Sequence, residues 1–189
     1  MSADIIDTAL NEHQAVITRL QAFTPVIRQI ADRIRLCLNQ GGKLLLMGNG
    51  GSAADSQHIA AEFVGRFRRE RRGLPAIALT TDTSILTSIG NDYGYEHIFA
   101  RQIDALCEAK DVVVGITTSG NSPSVIKAIQ LAREMGACTI GFSGESGGRL
   151  AEVSELTLKV PSANTARIQE GHILVGHILC ELLDDLQRR

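Results

Sequence analysis

Leu44-Leu45-Leu46-Met47-Gly48-Asn49-Gly50-Gly51-Ser52-Ala53 is the stretch on which the fold turns. Four apolar residues between glycines suit a short strand buried on both faces. The glycines then lead into a helical stretch over about 53–66. Four later runs share the strand texture: Ala76-Ile77-Ala78-Leu79, Val112–Ile116, Cys138–Phe142 and Leu156–Val160. Helical stretches separate or follow them, at 83–106 with a break near Gly90, at 123–135 and at 165–187. Strands alternating with helices imply right-handed crossovers and a parallel sheet covered on both faces. The sequence therefore predicts an α/β fold, with ligands bound beyond the carboxyl ends of the strands.

Upstream of that stretch, Ile5, Ile6, Ala9, Leu10, His13, Val16, Ile17 and Leu20 form one apolar stripe at helical spacing. Thr24-Pro25 starts a second helix, because Pro is tolerated where the first amides lack partners anyway. Its stripe runs through Ile27, Ile30, Ile34 and Cys37 to Gly41-Gly42. Two such helices ahead of any strand do not easily share one sheet. The expectation is a single domain over 1–189, with a helical pair at 1–40 that forms contacts between copies and an αβα core at 41–189.

The bulk numbers agree with one soluble globular domain. The chain has 189 residues, 44% hydrophobic and 21% charged. Nineteen basic residues oppose twenty-one acidic ones, for a net charge of -2, which gives no broad electrostatic hold on nucleic acid. No apolar run approaches the ~20 residues that span a bilayer. MSADIIDTAL lacks the basic start of a signal peptide, so no membrane partner and a cytoplasmic location are expected. Cys37, Cys107, Cys138 and Cys180 form no C-x-x-C pair and read as buried thiols.

Two loops carry phosphate-like chemistry. Gly48-Asn49-Gly50-Gly51-Ser52-Ala53 satisfies the dinucleotide pattern G-x-G-x-x-A, but the acid required about 20 residues on is missing. The nearest, Glu70, sits in an arginine-rich run. Two readings stay open: a tight turn with Ser52 as helix N-cap, or backbone amides opened to an oxygen-rich ligand. After the third strand come Thr117, Thr118, Ser119, Gly120, Asn121 and Ser122, then Pro123 at a helix start. Hydroxyls at a helix N-terminus suit an anion, and no P-loop Lys follows, so a phosphomonoester fits better than a nucleoside triphosphate. The bland alternative is a polar loop whose hydroxyls only cap turns.

His58 and Glu62 lie four residues apart on one helical face, and Gln169 and His177 lie eight apart on another. Alone, each His is more simply a core or interface residue. Together the four residues suit either a zinc-like ion or an acid–base pair that moves a proton between adjacent carbons. Arg66, Arg68, Arg69, Arg71 and Arg72 read as a solvated helix end, with phosphate steering or a subunit contact second. Asn91-Asp92 reads as a turn that also offers groups to sugar hydroxyls. His13, His97 and His172 carry no constellation.

Gly-Asn-Gly-Gly-Ser at 48–52, His-Ile-Ala-Ala-Glu at 58–62, Gly-Asn-Asp-Tyr-Gly at 90–94, Thr-Thr-Ser-Gly-Asn-Ser at 117–122 and Arg-Ile-Gln-Glu-Gly-His at 167–172 resemble the sugar isomerase (SIS) domain family. Within it they resemble the phosphoheptose isomerases, over nearly the whole chain. The resemblance implies an open five-stranded parallel sheet flanked by helices on both faces, with two additional N-terminal helices. It implies a homotetramer with active sites at subunit interfaces. It implies conversion of sedoheptulose 7-phosphate to D-glycero-D-manno-heptose 7-phosphate, an entry to ADP- or GDP-heptose for bacterial surface glycans. Asn49, Gly50, Gly51, Ser52, Asn91, Asp92 and Gln169 then look like substrate contacts, and Thr117, Thr118, Ser119 and Ser122 like the phosphate cradle. His58, Glu62, Gln169 and His177 look like ligands of one zinc ion per subunit. Glu62 and His177 also look like the acid–base pair. A non-enzymatic SIS branch that binds the replication initiator is the alternative, and the presence of Glu62 and His177 favours the enzyme.

Overall fold

The structure, a computed structural model, describes residues 4–186. Gln187, the end of the last expected helix, lies outside them. The chain opens with α1 (Ile5–Leu20), a 3-10 turn at Gln21–Phe23 and α2 (Thr24–Asn39). Asp4 caps α1, its Oδ1 accepting from the Ile6 amide at 3.0 Å.

Five strands follow: β1 (Leu44–Gly48), β2 (Ala76–Ala78), β3 (Val112–Ile116), β4 (Cys138–Ser143) and β5 (Leu156–Lys159). They form one sheet in the order β2-β1-β3-β4-β5, and every pairing is parallel. The connecting helices are α3 (Gly51–Val64), α4 (Thr83–Tyr93), α5 (Ala100–Leu106), α6 (Pro123–Glu134), α7 (Gly148–Val153) and α8 (Thr165–Leu183).

Successive strand residues face opposite sides, and this splits the core in two. Leu44, Leu46, Val112, Val114, Ile116, Ile140, Phe142 and Leu158 pack with α2, α3 and α8. Leu45, Met47 and Val113 pack with residues of α5, α6 and α7 on the other face. The expected five-stranded α/β architecture is present.

Four expectations change. The break in 83–106 falls at Gly94, whose φ of 92° ends α4, whereas Gly90 continues the helix. Asn91 and Asp92 are consequently the last turn of α4 and not a turn between elements. The short α7 went unread, because six residues are too few to show a periodicity. The N-terminal pair also does not act as one unit. α2 buries Ile27, Ile30, Ala31, Ile34, Cys37 and Leu38 in the sheet's own core, while α1 buries only Val16 and Leu20. Ile5, Ile6 and Leu10 on α1 remain 81%, 63% and 63% exposed. Among the described residues no helix is long and apolar enough to cross a membrane.

Candidate active site

In an open parallel sheet a crevice opens where neighbouring strands send their connections to opposite faces. Here that point lies between β1 and β3, since α3 covers one face and α6 the other. Gly48 pairs with Ile116, so the glycine loop and the hydroxyl loop leave the sheet side by side.

Gly50, at φ 56°, occupies the N-cap position of α3. Ser52 is therefore not the cap; it sits in the first turn, 3% exposed. Gly51 makes room for a neighbour: a Cβ there would stand 2.5 Å from Gln169 Nε2. Asn49, Ser52, Ile116, Thr117, Thr118, Ser122 and Gln169 line a cleft of about 150 Å³. Ser122 holds the N-cap position of α6, but its hydroxyl does not cap the helix. It accepts instead from Asn49 Nδ2 at 2.8 Å. The first-turn amides of α6 thus keep no side-chain cap, which suits an anion. Ser119 is held from within its loop, its Oγ accepting from the Asn121 amide at 3.1 Å. A hollow of about 180 Å³ beside Arg33, Cys37, Lys110 and Cys138 lies at the amino ends of the strands, away from this crevice.

α3 and α8 pack side by side, and Gly176 lets them approach: a Cβ there would meet Ile59 Cδ1 at 2.7 Å. The contact brings His58, Glu62 and His177 together, with one potential ligand atom from each within 4.8 Å of the others. His177 Nε2 lies 3.3 Å from His58 Nε2, so one ring donates to the other, and His58 Nε2 lies 3.4 Å from Glu62 Oε1. Two imidazoles and a carboxylate converging like this match the three protein ligands of a catalytic zinc site with an open position. Gln169 does not join them within one chain. It stands at the Gly51 end of the helix pair, roughly two turns or 10 Å away.

Asn91, Asp92 and Arg66 are among neither the residues lining the cleft nor the three of the cluster. Asn91 and Asp92 are exposed, and Asn91 Nδ2 donates to Asp92 Oδ1 at 2.8 Å. Arg66 is exposed and pairs with Glu70 at 3.5 Å. Arg71 is not a solvated residue: its side chain is 4% exposed and pairs at 2.9 Å with Asp184, 3% exposed. Cys180, on α8, stays a thiol, because burial, with the Glu62 carboxylate acting the same way, pushes it up to about 12.

A model of the SIS domain matches residues 10–144. A phosphoheptose isomerase of Roseiflexus sp. (strain RS-1) is 62% identical over 165 residues, 87% of this chain and 84% of that one. The chain belongs to the phosphoheptose isomerases of the SIS family. A solved phosphoheptose isomerase from Francisella tularensis superposes with a TM-score of 0.94 at 38% identity, covering 98% of this chain and 100% of that one. Another, from Neisseria gonorrhoeae, gives 0.91 at 43% identity, over 96% and 97%. The chain is thus an enzyme, an isomerase that acts on a sugar phosphate.

Sequence reading missed several residues around the site. Phe67 stacks on the His177 ring at 5.5 Å and 19°. Arg71 Nη2 donates to the Glu62 carbonyl at 3.0 Å, and Asp184 Oδ2 accepts from the Arg68 and Arg69 amides at 2.9 and 2.7 Å. Arg68, Arg69 and Arg71 are therefore a clamp on the far end of α8. Its only signal was an acid, Asp184, more than a hundred residues away in sequence. Asp55 lies one turn before His58, and burial raises its carboxyl above the usual range, the nearby His58 opposing. His172 is fully buried against Phe142, with Nε2 at 3.2 Å from the Ser143 carbonyl; burial lowers it to about 4, so it stays neutral.

Proposed function

We propose that the chain converts sedoheptulose 7-phosphate to D-glycero-D-manno-heptose 7-phosphate, a step toward nucleotide-activated heptose for surface glycans. The observation that carries this reading is the alignment along α3 and α8 of two chemistries. A hydroxyl- and amide-lined cleft sits at one end and the His58–Glu62–His177 cluster at the other. Their separation of roughly 10 Å suits an extended seven-carbon chain with its phosphate on the last carbon. Incubation with sedoheptulose 7-phosphate tests it: aldoheptose 7-phosphate is expected, and no turnover of that ketose would remove the assignment.

In this reading the phosphate docks at Thr117, Thr118, Ser119 and Ser122. Asn49 through its main chain, with Gly50, Gly51, Ser52 and Gln169, meets the adjoining oxygens. Glu62 takes a proton from the carbon beside the carbonyl and returns it to the neighbouring carbon through an enediol. His177, held by Phe67 and paired with His58, moves the hydroxyl proton. His58, Glu62 and His177 would hold a zinc ion, which supplies Lewis-acid polarisation of the carbonyl when bound. A carboxylate has two oxygens, so ligation through one leaves the other able to accept a proton. Gln169 we assign to the substrate from its place in the cleft.

Changing Ser119 and Ser122 together to Ala is expected to raise KM for the sugar phosphate at least tenfold, about two lost charge-assisted hydrogen bonds, with the fold intact by circular dichroism. An unchanged KM would take the loop out of the site. Protein purified without chelator is expected to carry up to about one zinc per chain. No transition metal by elemental analysis, with no gain of activity on adding zinc, would leave pure acid–base chemistry.

The exposed Ile5, Ile6 and Leu10 of α1 need cover, and a closed symmetric oligomer supplies it most simply. We assign the chain to homotetramers, with Arg66 reaching toward a neighbour's site. A fully active monomer in sedimentation at assay concentration would contradict that.

A further inference from the structure

We propose that Tyr95 is a positioning residue for phosphate recognition, acting through Asn49 to make the Ser122 hydroxyl a donor that faces the cleft. The inference rests on the phosphate reading of the 117–122 loop. Tyr95 follows the Gly94 bend after α4, and its hydroxyl donates to Asn49 Oδ1 at 2.7 Å. The Asn49 amide then has its nitrogen on the opposite side. Nδ2 donates to Ser122 Oγ at 2.8 Å and to Ser124 Oγ at 3.0 Å. Both amide hydrogens and the amide oxygen are thereby committed.

The two hydroxyls are not equivalent. Ser124 is 1% exposed and lies 3.3 Å from Ser122 Oγ. Having accepted from Asn49, Ser124 has Ser122 Oγ within reach for its own proton. Either oxygen could donate across that contact; with Ser124 buried we assign it the donor role, and Ser122 Oγ then accepts twice, from Asn49 Nδ2 and from Ser124. A hydroxyl has two lone pairs and one proton, so what remains to Ser122 is to donate. Ser122 lines the cleft, so that proton is directed at whatever anion enters. The reversed amide would do the opposite: Oδ1 would face the serines, and their protons would turn inward to Asn49. The Tyr95 hydroxyl, donating to Oδ1, holds the amide in the productive orientation. The relay therefore runs in one direction, Tyr95 to Asn49 to Ser122 to phosphate, with every member donating toward the ligand.

No feature of the sequence around 95 marks this role, because Tyr95 comes to Asn49 from a segment 46 residues away. The relay also ties the α4–Gly94 segment to the crevice without placing Tyr95 in contact with substrate.

The test measures binding of inorganic phosphate by titration calorimetry, and KM and kcat for the sugar phosphate, in four proteins: wild type, Tyr95→Phe, Ser122→Ala and the double variant. Tyr93→Phe, at an exposed ring that stacks with Arg101 at 5.0 Å and is not among the residues lining the cleft, serves as the control. Tyr95→Phe is expected to weaken phosphate and raise KM by roughly 2–10-fold, the worth of one neutral hydrogen bond, while kcat moves by less than twofold. The double variant should bind no more weakly than Ser122→Ala alone, because the relay ends at Ser122. Phosphate binding by Tyr95→Phe at wild-type strength, or fully additive losses in the double variant, would overturn the relay. A wild type or Ser122→Ala protein whose phosphate binding ignores the loop would instead overturn the phosphate reading, and the relay with it. A merely structural role for Tyr95 would lower the melting temperature and leave the KM-to-kcat split unmoved.

Discussion

Glu62→Gln is expected to lower kcat by about 10²–10⁴-fold, the usual worth of a positioned general base. The amide keeps the size of the side chain and its hydrogen-bonding reach but cannot take a proton. Binding of inorganic phosphate should stay within about twofold of wild type, because the phosphate cleft lies roughly two helical turns away. Calorimetry with phosphate and steady-state kinetics on the same preparation separate the two effects. Loss of phosphate binding in step with kcat would mean that Glu62 supports the cleft and does not act as base. The substitution also removes one candidate metal ligand, so metal content is measured alongside. A variant whose metal content matches wild type and that loses turnover isolates the base.

Arg71→Ala is expected to cost about 3–5 kcal/mol of stability, the penalty for stripping one partner from a buried ion pair. The pair qualifies, since both side chains are almost fully covered. For a chain of this length that corresponds to a fall in Tm of roughly 6–20 °C. Activity should fall more than stability alone implies. Arg71 also holds the Glu62 and Phe63 carbonyls, and the loop it anchors carries Phe67 onto His177. The acid side gives a second readout. Burial acts to raise the Asp184 carboxyl, but the Arg69 and Arg68 amides and the Arg71 guanidinium outweigh it and hold it below the usual carboxylate range. Its contribution is therefore fully present above the usual carboxylate range and is lost as pH falls through the lowered value. Asp184→Asn should flatten the acid limb of a stability-against-pH curve. A Tm unchanged in Arg71→Ala would show that the clamp is incidental.

The sheet was legible because burial on both faces leaves an uninterrupted apolar signature. Leu44–Met47 and Val112–Ile116 could hardly be anything else. The crevice followed from topology, since ligands collect beyond the strand ends and both loops there carry glycine or hydroxyls. His58, Glu62 and His177 were legible as residue types, and packing of α3 on α8 through Gly176 brings them together. Three things were not legible, each for a physical reason. Ser122 before Pro123 has the sequence of a helix cap, but the tertiary contact with Asn49 takes its hydroxyl. Arg71 looks like one of five surface arginines until Asp184 arrives from the end of α8. The stripe on α2 looks like that on α1, yet only α2 lies over the sheet. In each case local sequence fixes what a residue can do, and a distant partner decides what it does.

The most direct test of proton transfer at the α3–α8 cluster is the isomerisation of sedoheptulose 7-phosphate run in D₂O, with the product examined by NMR. Glu62 is 26% exposed at its side chain, so a proton it holds exchanges with solvent between removal and return. Aldoheptose 7-phosphate carrying solvent deuterium at C2 is the expected product. Product formed at full rate with only substrate-derived hydrogen at that carbon would contradict proton transfer through Glu62.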